Sequence, residues 1–126
     1  MSAERSALFV YGTLMRGERS ERFLSASPLL DPDARVDGYE LVDTGSYPGL
    51  VRSAQGVVRG ELYEVTREEL VVIDEFEGHP DLFERVEVEL ASGRRAFVYL
   101  FRQAAGQPLV PDGDWRAHRT RRENAD

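Results

Sequence analysis

A carboxylate lies on the apolar face of a helix predicted over residues 66–78. At about 100° per residue, Leu70, Ile73 and Glu77 fall on one stripe, at positions i, i+3 and i+7. Burial of that face would strip water from the carboxylate, raise its pKa and make it a usable general base near neutral pH. The structural alternative is a glutamate on the last turn whose long side chain bends back to water. Spacing alone leaves both interpretations open.

A second candidate site lies where the first predicted strand ends. The stretch FVYGTLMRG begins as an apolar strand and continues in Gly12, Thr13 and Leu14. Glycine lets a ligand approach the backbone closely, and successive N–H groups that point into one concavity form a nest for a carboxylate or an oxyanion. A tight turn that binds no ligand explains the same residues equally well.

Composition excludes several kinds of chemistry. The chain has no cysteine and no lysine, so disulfides, thiol nucleophiles, Cys-ligated zinc and lysine Schiff bases are ruled out. Gly12 and Gly17 have the spacing of a phosphate-binding loop, but Glu18 and Arg19 follow where that loop requires lysine and then serine or threonine. The loop at 44–50 contains a serine without the G-x-S-x-G motif, which argues against a serine hydrolase.

The charge pattern argues against nucleic acid or membrane surfaces as partners. Net charge is −7, and no apolar run is long enough to span a bilayer. The N-terminus lacks the apolar core of a secretory signal, so we expect a cytoplasmic protein. Residues 116–126 carry four arginines against two acidic residues and are predicted to form a basic, frayed tail.

Hydrophobic patterning predicts several short strands and one or two helices. The strands are expected at 7–11, 35–42, 57–65, 85–90 and 95–101, and a Ser-Gly turn joins the last two into a hairpin. A helix at 66–78 is favoured by a capping box formed by Thr66 and Glu69 and by Gly78 as a C-terminal stop, and a second helix is predicted at 17–27. We therefore predict one α+β domain over residues 1–126, in which the short strands form a small closed or partly closed β-barrel with one or two helices.

These segments, in this order, resemble the gamma-glutamylcyclotransferase-like family. The resemblance is carried by VYGTLMRG, YPGL, GELYEVTREEL and IDEFEGHPDLFERVEVEL, which cover most of residues 7–101, and by DGDW at 112–115. YGTLMRG and DEFE make the likeness strongest to the branch that cleaves gamma-glutamyl amines. The resemblance implies a small mixed β-barrel with flanking helices and an enzyme that needs no cofactor. We predict no metal site.

The resemblance also assigns roles to the residues singled out above. It places the substrate loop on Tyr11, Gly12, Thr13 and Leu14, and the catalytic glutamate on Glu77. The implied reaction is intramolecular: the α-amino group of a gamma-glutamyl small molecule attacks its own γ-carbonyl and releases 5-oxoproline with a free amine or amino acid. Oligomeric state is left open.

One position departs from the family pattern. Relatives commonly have tyrosine two residues before an arginine, whereas here Phe83 precedes Arg85. If the missing hydroxyl contacts substrate in relatives, the alternative to the enzyme is a binding protein, non-catalytic or of unknown substrate, that uses the same pocket. A third hypothesis is an interaction protein that works through the basic residues 116–126.

Overall fold

One curled, five-stranded sheet forms the body of the protein in a computed structural model that describes residues 4–124. Its strands are β1 (Arg5–Val10), β2 (Leu29–Asp43), β3 (Pro48–Thr66), β4 (Phe83–Glu89) and β5 (Arg95–Phe101). The order across the sheet is β2-β3-β1-β5-β4, with β1 and β5 parallel and the other neighbours antiparallel. With the two α-helices described below, this mixed sheet confirms the predicted α+β class and the predicted hairpin of β4 and β5.

The sheet folds back on itself without closing. Besides pairing with β2 and β1, β3 meets β5 at the single pair Leu50–Leu100, so β1, β3 and β5 pair with one another. Gly56 permits close approach of the two longest strands, because a Cβ there would lie 2.0 Å from the Tyr39 carbonyl oxygen. No ladder joins the outer strands β2 and β4 in the described part of the chain, so the sheet is not a closed barrel. Of the two predicted forms, the closed one is wrong.

The core fills the concave side of this sheet with the side chains of all five strands. β1 and β5 carry apolar residues on both faces because both strands lie inside the sheet, as their uninterrupted apolar runs predict. β4 is an outer strand and alternates, with Val88 buried between the exposed Glu87 and Glu89. The largest side chains that are almost fully buried are Trp115, Phe9, Leu8, Leu41, Leu50 and Ile73, with Glu61 among them.

The helix α1 (Arg67–Glu77) begins and ends at the predicted caps. The Glu69 backbone N–H donates to Thr66 Oγ1 at 3.1 Å, and the Thr66 N–H donates to Glu69 Oε1 at 2.8 Å, which completes the capping box. Gly78 ends the helix in the left-handed region, at φ 69° and ψ 35°. Leu70 and Ile73 are buried against the sheet, so the phase of the helix is the predicted one.

The helix predicted at 17–27 is not an α-helix. These residues form tight turns and a short 3₁₀ helix, Glu21–Leu24. Gly17 has a φ of 80°, which no residue of a right-handed helix adopts, and its N–H donates to Glu21 Oε2 at 2.8 Å. The hydrophobic pattern gave a wrong prediction for this segment because Glu18, the residue after Gly17, is only 5% exposed. A carboxylate this buried is held by tertiary contacts and not by helix propensity.

The predicted frayed tail is also wrong as far as Asn124. Trp115–Glu123 form the helix α2, which Asp114 caps by accepting from the Ala117 N–H at 3.0 Å. Three of its four arginines and its histidine contact acidic side chains of the body that are almost fully buried, and each of those carboxylates requires a cation. Neither helix of the described residues is long and apolar enough to cross a membrane.

Glu18 and Asp43, two of the three buried carboxylates that contact α2, hold this helix against the body of the protein. Arg119 Nε and Nη2 donate to the two oxygens of Glu18 at 2.9 and 2.8 Å. His118 Nε2 and Arg122 Nη1 contact Asp43 Oδ2 at 2.8 and 2.6 Å. Burial alone would raise the pKa of Asp43, but hydrogen bonds to His118 and Arg122 outweigh it and hold that pKa below its usual value.

We expect Arg119→Gln to destabilise the fold by about 2 kcal/mol, because it leaves Glu18 buried with only Arg116 at 4.0 Å. This value lies below the roughly 3–5 kcal/mol for fully buried pairs because Arg119 is about one-third exposed. The free energy of unfolding in urea measures it. Arg121→Gln is the matched control, since Arg121 is exposed and forms no ion pair in the described chain. Equal losses in both variants would contradict the prediction.

Candidate active site

A cavity of 270 Å³, called here the main cavity, opens between the end of β1 and the end of α1. Its volume is near the lower end of the range for small-molecule sites, about 300–1,000 Å³. The structure brings all five predicted site residues into its wall, together with Arg19 and with aromatic and apolar side chains. The lining is Phe9, Val10, Tyr11, Gly12, Thr13, Leu14, Arg19, Tyr47, Pro48, Phe76, Glu77, Leu82, Phe83 and Tyr99.

Glu77 is the acidic residue of this lining. Its side chain is partly buried, and the lost hydration raises its pKa to about 7. The buried carboxylates Glu18, Glu61 and Asp43 each have a cation within 4.0 Å. Glu77 takes part in none of the ion pairs or side-chain hydrogen bonds found within residues 4–124, and burial alone shifts its pKa. An unpaired carboxylate that is half protonated near neutrality can both accept and return a proton.

The end of α1 fixes where Glu77 lies. It follows the buried Ile73 by four positions and therefore shares the face that packs on the sheet. The next residue, Gly78, turns the chain, and its N–H donates to Glu75 O at 3.2 Å. The His79 N–H donates to Asp74 O at 2.9 Å. These two backbone hydrogen bonds hold the last turn of α1, which carries the Glu77 carboxylate.

The loop Tyr11–Leu14 lines the same cavity and contains backbone donors without a protein acceptor in the described chain. Two carbonyls of the loop are engaged, by Met15 N–H on Gly12 O at 3.1 Å and by Ser20 N–H on Thr13 O at 2.9 Å. Within residues 4–124 the N–H groups of Gly12, Thr13 and Leu14 donate to no protein acceptor. Neighbouring amides with free N–H groups are the arrangement that binds a carboxylate or an oxyanion.

Glycine is required at position 12 by close packing. A Cβ on Gly12 would lie 2.6 Å from Pro48 Cγ and 2.9 Å from Pro48 Cδ. The Tyr47-Pro48 segment at the start of β3 therefore backs the donor loop, and both of its residues line the main cavity. This contact gives the second loop of the sequence, TGSYPGL, a structural role.

The Tyr11 side chain anchors the loop and does not offer a hydroxyl to a ligand. Its hydroxyl donates to the Tyr99 carbonyl at 2.7 Å, and burial, with a smaller effect of Glu77, raises its pKa well above the usual value. The Tyr99 hydroxyl in turn donates to Asp74 Oδ1 at 2.6 Å. Burial and this hydrogen bond raise the pKa of Tyr99 as well. Both phenols are therefore neutral donors at physiological pH.

A hydrogen-bond network that was not predicted from the sequence includes Tyr99 of the cavity wall. Arg85 Nε and Nη2 donate to Asp74 Oδ1 and Oδ2 at 2.9 and 3.1 Å, and its N–H donates to His79 Nδ1 at 3.0 Å. With Tyr99, these residues tie α1 to β4 and β5, one turn before Glu77. The available signal was Asp74 at the edge of the apolar stripe of α1, a position where an isolated carboxylate needs a cation.

The departure at position 83 falls inside the site. Phe83 is 4% exposed, lines the main cavity and packs against Tyr47 and Phe101, with ring centroids 5.8 and 5.2 Å apart.

Within the described chain, no group of three or more His, Asp or Glu side chains is placed to hold a metal ion. Glu77 and the backbone donors are the candidate groups for chemistry in this cavity.

Comparisons with known proteins agree on one family. A family model described as gamma-glutamyl cyclotransferase, AIG2-like, matches residues 8–117. A Vibrio cholerae protein named as a candidate gamma-glutamylcyclotransferase is 37% identical over 109 residues, which cover 86% of this chain and 93% of the relative. The gamma-L-glutamyl-butirosin B gamma-glutamyl cyclotransferase of Niallia circulans is 43% identical over 90 residues, 66% of this chain and 56% of that protein. The crystal structure of an AIG2-like protein from Mus musculus aligns with a TM-score of 0.72 at 28% identity, covering 84% of this chain and 86% of that one.

Proposed function

The chain belongs to the gamma-glutamyl cyclotransferase, AIG2-like family, and we propose that it uses Glu77 to convert a gamma-glutamyl amine or amide into 5-oxoproline and a free amine or amino acid. One observation carries the assignment of the site. An unpaired carboxylate with a pKa of about 7 shares the main cavity with a loop whose three successive N–H groups have no acceptor within residues 4–124.

The first step is activation of the substrate's own nucleophile. The α-amino group of a gamma-glutamyl compound is mostly an ammonium ion at pH 7 and cannot attack until it loses a proton. The Glu77 carboxylate takes that proton, and the amine then attacks the γ-carbonyl carbon of the same molecule. A C–N bond forms, and a five-membered ring closes. Because the nucleophile belongs to the substrate, a chain without cysteine or a serine triad can catalyse this acyl transfer.

The donor loop supports the second part of the reaction. Attack places negative charge on the former carbonyl oxygen, and the free N–H groups of Gly12, Thr13 and Leu14 are the donors available to stabilise that charge or to hold the substrate's carboxylate. The apolar walls hold the glutamyl chain in a folded conformation. Orientation within one molecule lowers the barrier to ring closure.

Proton transfer completes the reaction. The α-nitrogen loses two protons in all, because it begins as ammonium and ends as a lactam N–H. The departing nitrogen gains both, since the bond between it and the γ-carbon breaks and the amine leaves as an ammonium ion at neutral pH. Glu77 carries these protons one at a time and ends in its initial state.

The direct test is release of 5-oxoproline from a panel of gamma-glutamyl compounds with different leaving amines. Release from at least one compound by the purified protein supports the proposal. Binding of these compounds without any release would favour the alternative of a non-catalytic binder. Phe83 is the observation behind that alternative, because the position where relatives commonly carry a hydroxyl is an apolar part of this cavity wall.

The pH dependence follows from the raised pKa of Glu77. The base must be ionised before attack, so we expect kcat/KM to fall about tenfold per pH unit as the pH drops below about 7. An ordinary exposed glutamate would hold the plateau down to about pH 4.3. The measurement is initial rate from pH 5 to 9 at low substrate concentration. A plateau that extends below pH 5 would contradict the role given to Glu77.

The contacts of α2 favour a structural role for most of the basic residues behind the interaction-protein hypothesis. Three of the four arginines of α2, Arg116, Arg119 and Arg122, pair with carboxylates of the body. A small-molecule substrate is therefore the partner we propose. The cytoplasmic location, the lack of a cofactor and the lack of a nucleic-acid partner remain predictions of the sequence.

A further inference from the structure

A second cavity, of 300 Å³, lies next to the main cavity. The two cavities share Thr13 and Arg19 in their walls, so these two residues lie between them. The rest of the second cavity is formed by the turn after the donor loop, by Ser46 and by the start of α2. Its lining is Thr13, Gly17, Glu18, Arg19, Ser46, Trp115 and Arg119.

The charges around the second cavity leave one cation unpaired. Glu18 accepts two hydrogen bonds from Arg119, which also pairs with Glu123, and Arg116 lies 4.0 Å from Glu18. The Arg19 side chain is exposed and forms no ion pair or hydrogen bond with any side chain of residues 4–124. The lining therefore has a net positive charge, and its unpaired guanidinium lies at the boundary with the main cavity.

A second donor in this wall also lacks an acceptor. Trp115 is 1% exposed, and its Nε1 is the one buried side-chain nitrogen or oxygen of the described chain without a hydrogen-bond partner. A buried N–H that is left without an acceptor destabilises the fold. Trp115 is thus a lining residue of the second cavity whose buried donor no protein group of the described chain satisfies. The hydroxyls of Thr13 and Ser46 add to the hydrogen-bonding capacity of the same wall.

We propose that the second cavity binds the leaving group of the substrate, and that Arg19 selects leaving amines that carry a carboxylate, as amino acids and peptides do. This inference rests on the proposed function, because it takes the glutamyl part of the substrate to occupy the main cavity. The γ-carbonyl would then lie near the shared wall, with the departing nitrogen towards Arg19. A guanidinium recognises a carboxylate by paired N–H donors, which a neutral amide or an alkyl chain cannot accept equally.

The substrate test uses two compounds that differ in one group. Gamma-glutamyl-alanine ends in a carboxylate, and gamma-glutamyl-alaninamide ends in a neutral carboxamide. We expect kcat/KM for 5-oxoproline release to be about tenfold higher for the acid, and Arg19→Gln to lower the acid-to-amide ratio about tenfold. The control is Arg52→Gln, an exposed arginine on β3 that lines neither cavity; it should leave the ratio unchanged. A wild-type ratio near one would overturn the proposal.

A loss of equal size for both compounds in Arg19→Gln would also overturn it. That result would mean that Arg19 holds the α-carboxylate of the glutamyl part, which the two compounds share. Because Arg19 is exposed, the substitution should leave the unfolding transition in urea unchanged, and this measurement separates loss of recognition from loss of fold.

A binding experiment keeps this inference separate from the proposed reaction. Trp115 is the single tryptophan of the chain, so its fluorescence reports on the second cavity. In Glu77→Gln, which should bind without turnover, we expect gamma-glutamyl-alanine to change this fluorescence and 5-oxoproline, which has no leaving group, to leave it unchanged. Equal responses would overturn the inference. A response to the acid alone, with no 5-oxoproline release by the wild type, would support the second cavity as a binding site and contradict only the reaction.

Discussion

Replacing Glu77 by glutamine should lower kcat by about 10²–10⁴-fold while leaving substrate binding nearly intact. Glutamine keeps the size and the polarity of the side chain but cannot accept a proton from the substrate ammonium. The donor loop Tyr11–Leu14, which we propose as the binding element, is not altered by the change. The measurement is a steady-state assay of 5-oxoproline release, with KM and kcat determined separately.

The matched control is Glu75→Gln, two residues earlier on α1. Glu75 is exposed and lies outside the main cavity, and its replacement by glutamine removes the same charge from the same helix. It should leave kcat within about twofold of the wild type, because an exposed charge of this kind contributes little. If Glu77→Gln retained the wild-type kcat, the carboxylate would have no part in the mechanism, whatever its pKa.

Stability should change in the direction opposite to activity. The pKa of Glu77 is about 7 in the folded protein and near 4.5 in the unfolded chain, so the folded state holds the proton more tightly than the unfolded chain does. The associated stability is complete below about pH 4.5 and is lost as the pH rises to about 7. A shift of this size corresponds to at most about 3 kcal/mol. Above pH 7, Glu77→Gln should therefore unfold at higher urea than the wild type, and a lower midpoint would contradict burial of the ionised group.

The position of Glu77 was predictable because local signals determine it. The capping box at Thr66 and the stop at Gly78 fix both ends of α1, and helical geometry then fixes which side chains share a face. The carboxylate is in phase with two core residues, Leu70 and Ile73. No long-range contact is needed to find such a residue, only a pattern whose last member has the wrong polarity for its face.

The second cavity and α2 could not be predicted in this way, because their contacts join distant parts of the chain. Glu18 and Arg119 are 101 positions apart, and their pairing determines both the turns after the donor loop and the docking of α2. Read alone, the first residue looks like part of a helical pattern and the second like part of a charged tail. Each local interpretation was wrong because the charge of each residue is neutralised by the other.

The curvature of the sheet shows an intermediate case. Alternating segments predicted the strands, but β2 and β3 are longer than predicted because the pattern breaks where the ribbon bends. Gly56 and the register shift between Asp37 and Tyr39 mark that bend. Glycine in a strand is a recognisable signal of a bend, whereas the single pair that joins β3 to β5 depends on how far the sheet curls, and no local signal measures that.

Replacing Gly12 by alanine should lower kcat/KM by about 10²-fold and the free energy of unfolding by about 1–3 kcal/mol. The new Cβ would lie 2.6 Å from Pro48 Cγ, so either the donor loop or the start of β3 must move. Movement of the loop displaces the N–H groups of residues 12–14 relative to Glu77. The assay of 5-oxoproline release and urea denaturation measure the two effects. As a control, Gly93→Ala in the hairpin of β4 and β5 strains a residue with a φ of 90° far from the cavity, and it should reduce stability while kcat/KM is unchanged.

A double mutant separates this steric effect from a general loss of stability. Pro48→Ala removes the two ring carbons that the new Cβ would contact, so Gly12→Ala combined with Pro48→Ala should recover part of the lost kcat/KM. If the two losses simply added, the contact between the loop and β3 would not be what positions the donors. Recovery of activity without recovery of stability would be the strongest result. It would show that the geometry of the loop relative to Glu77, and not the strength of the fold, sets the rate.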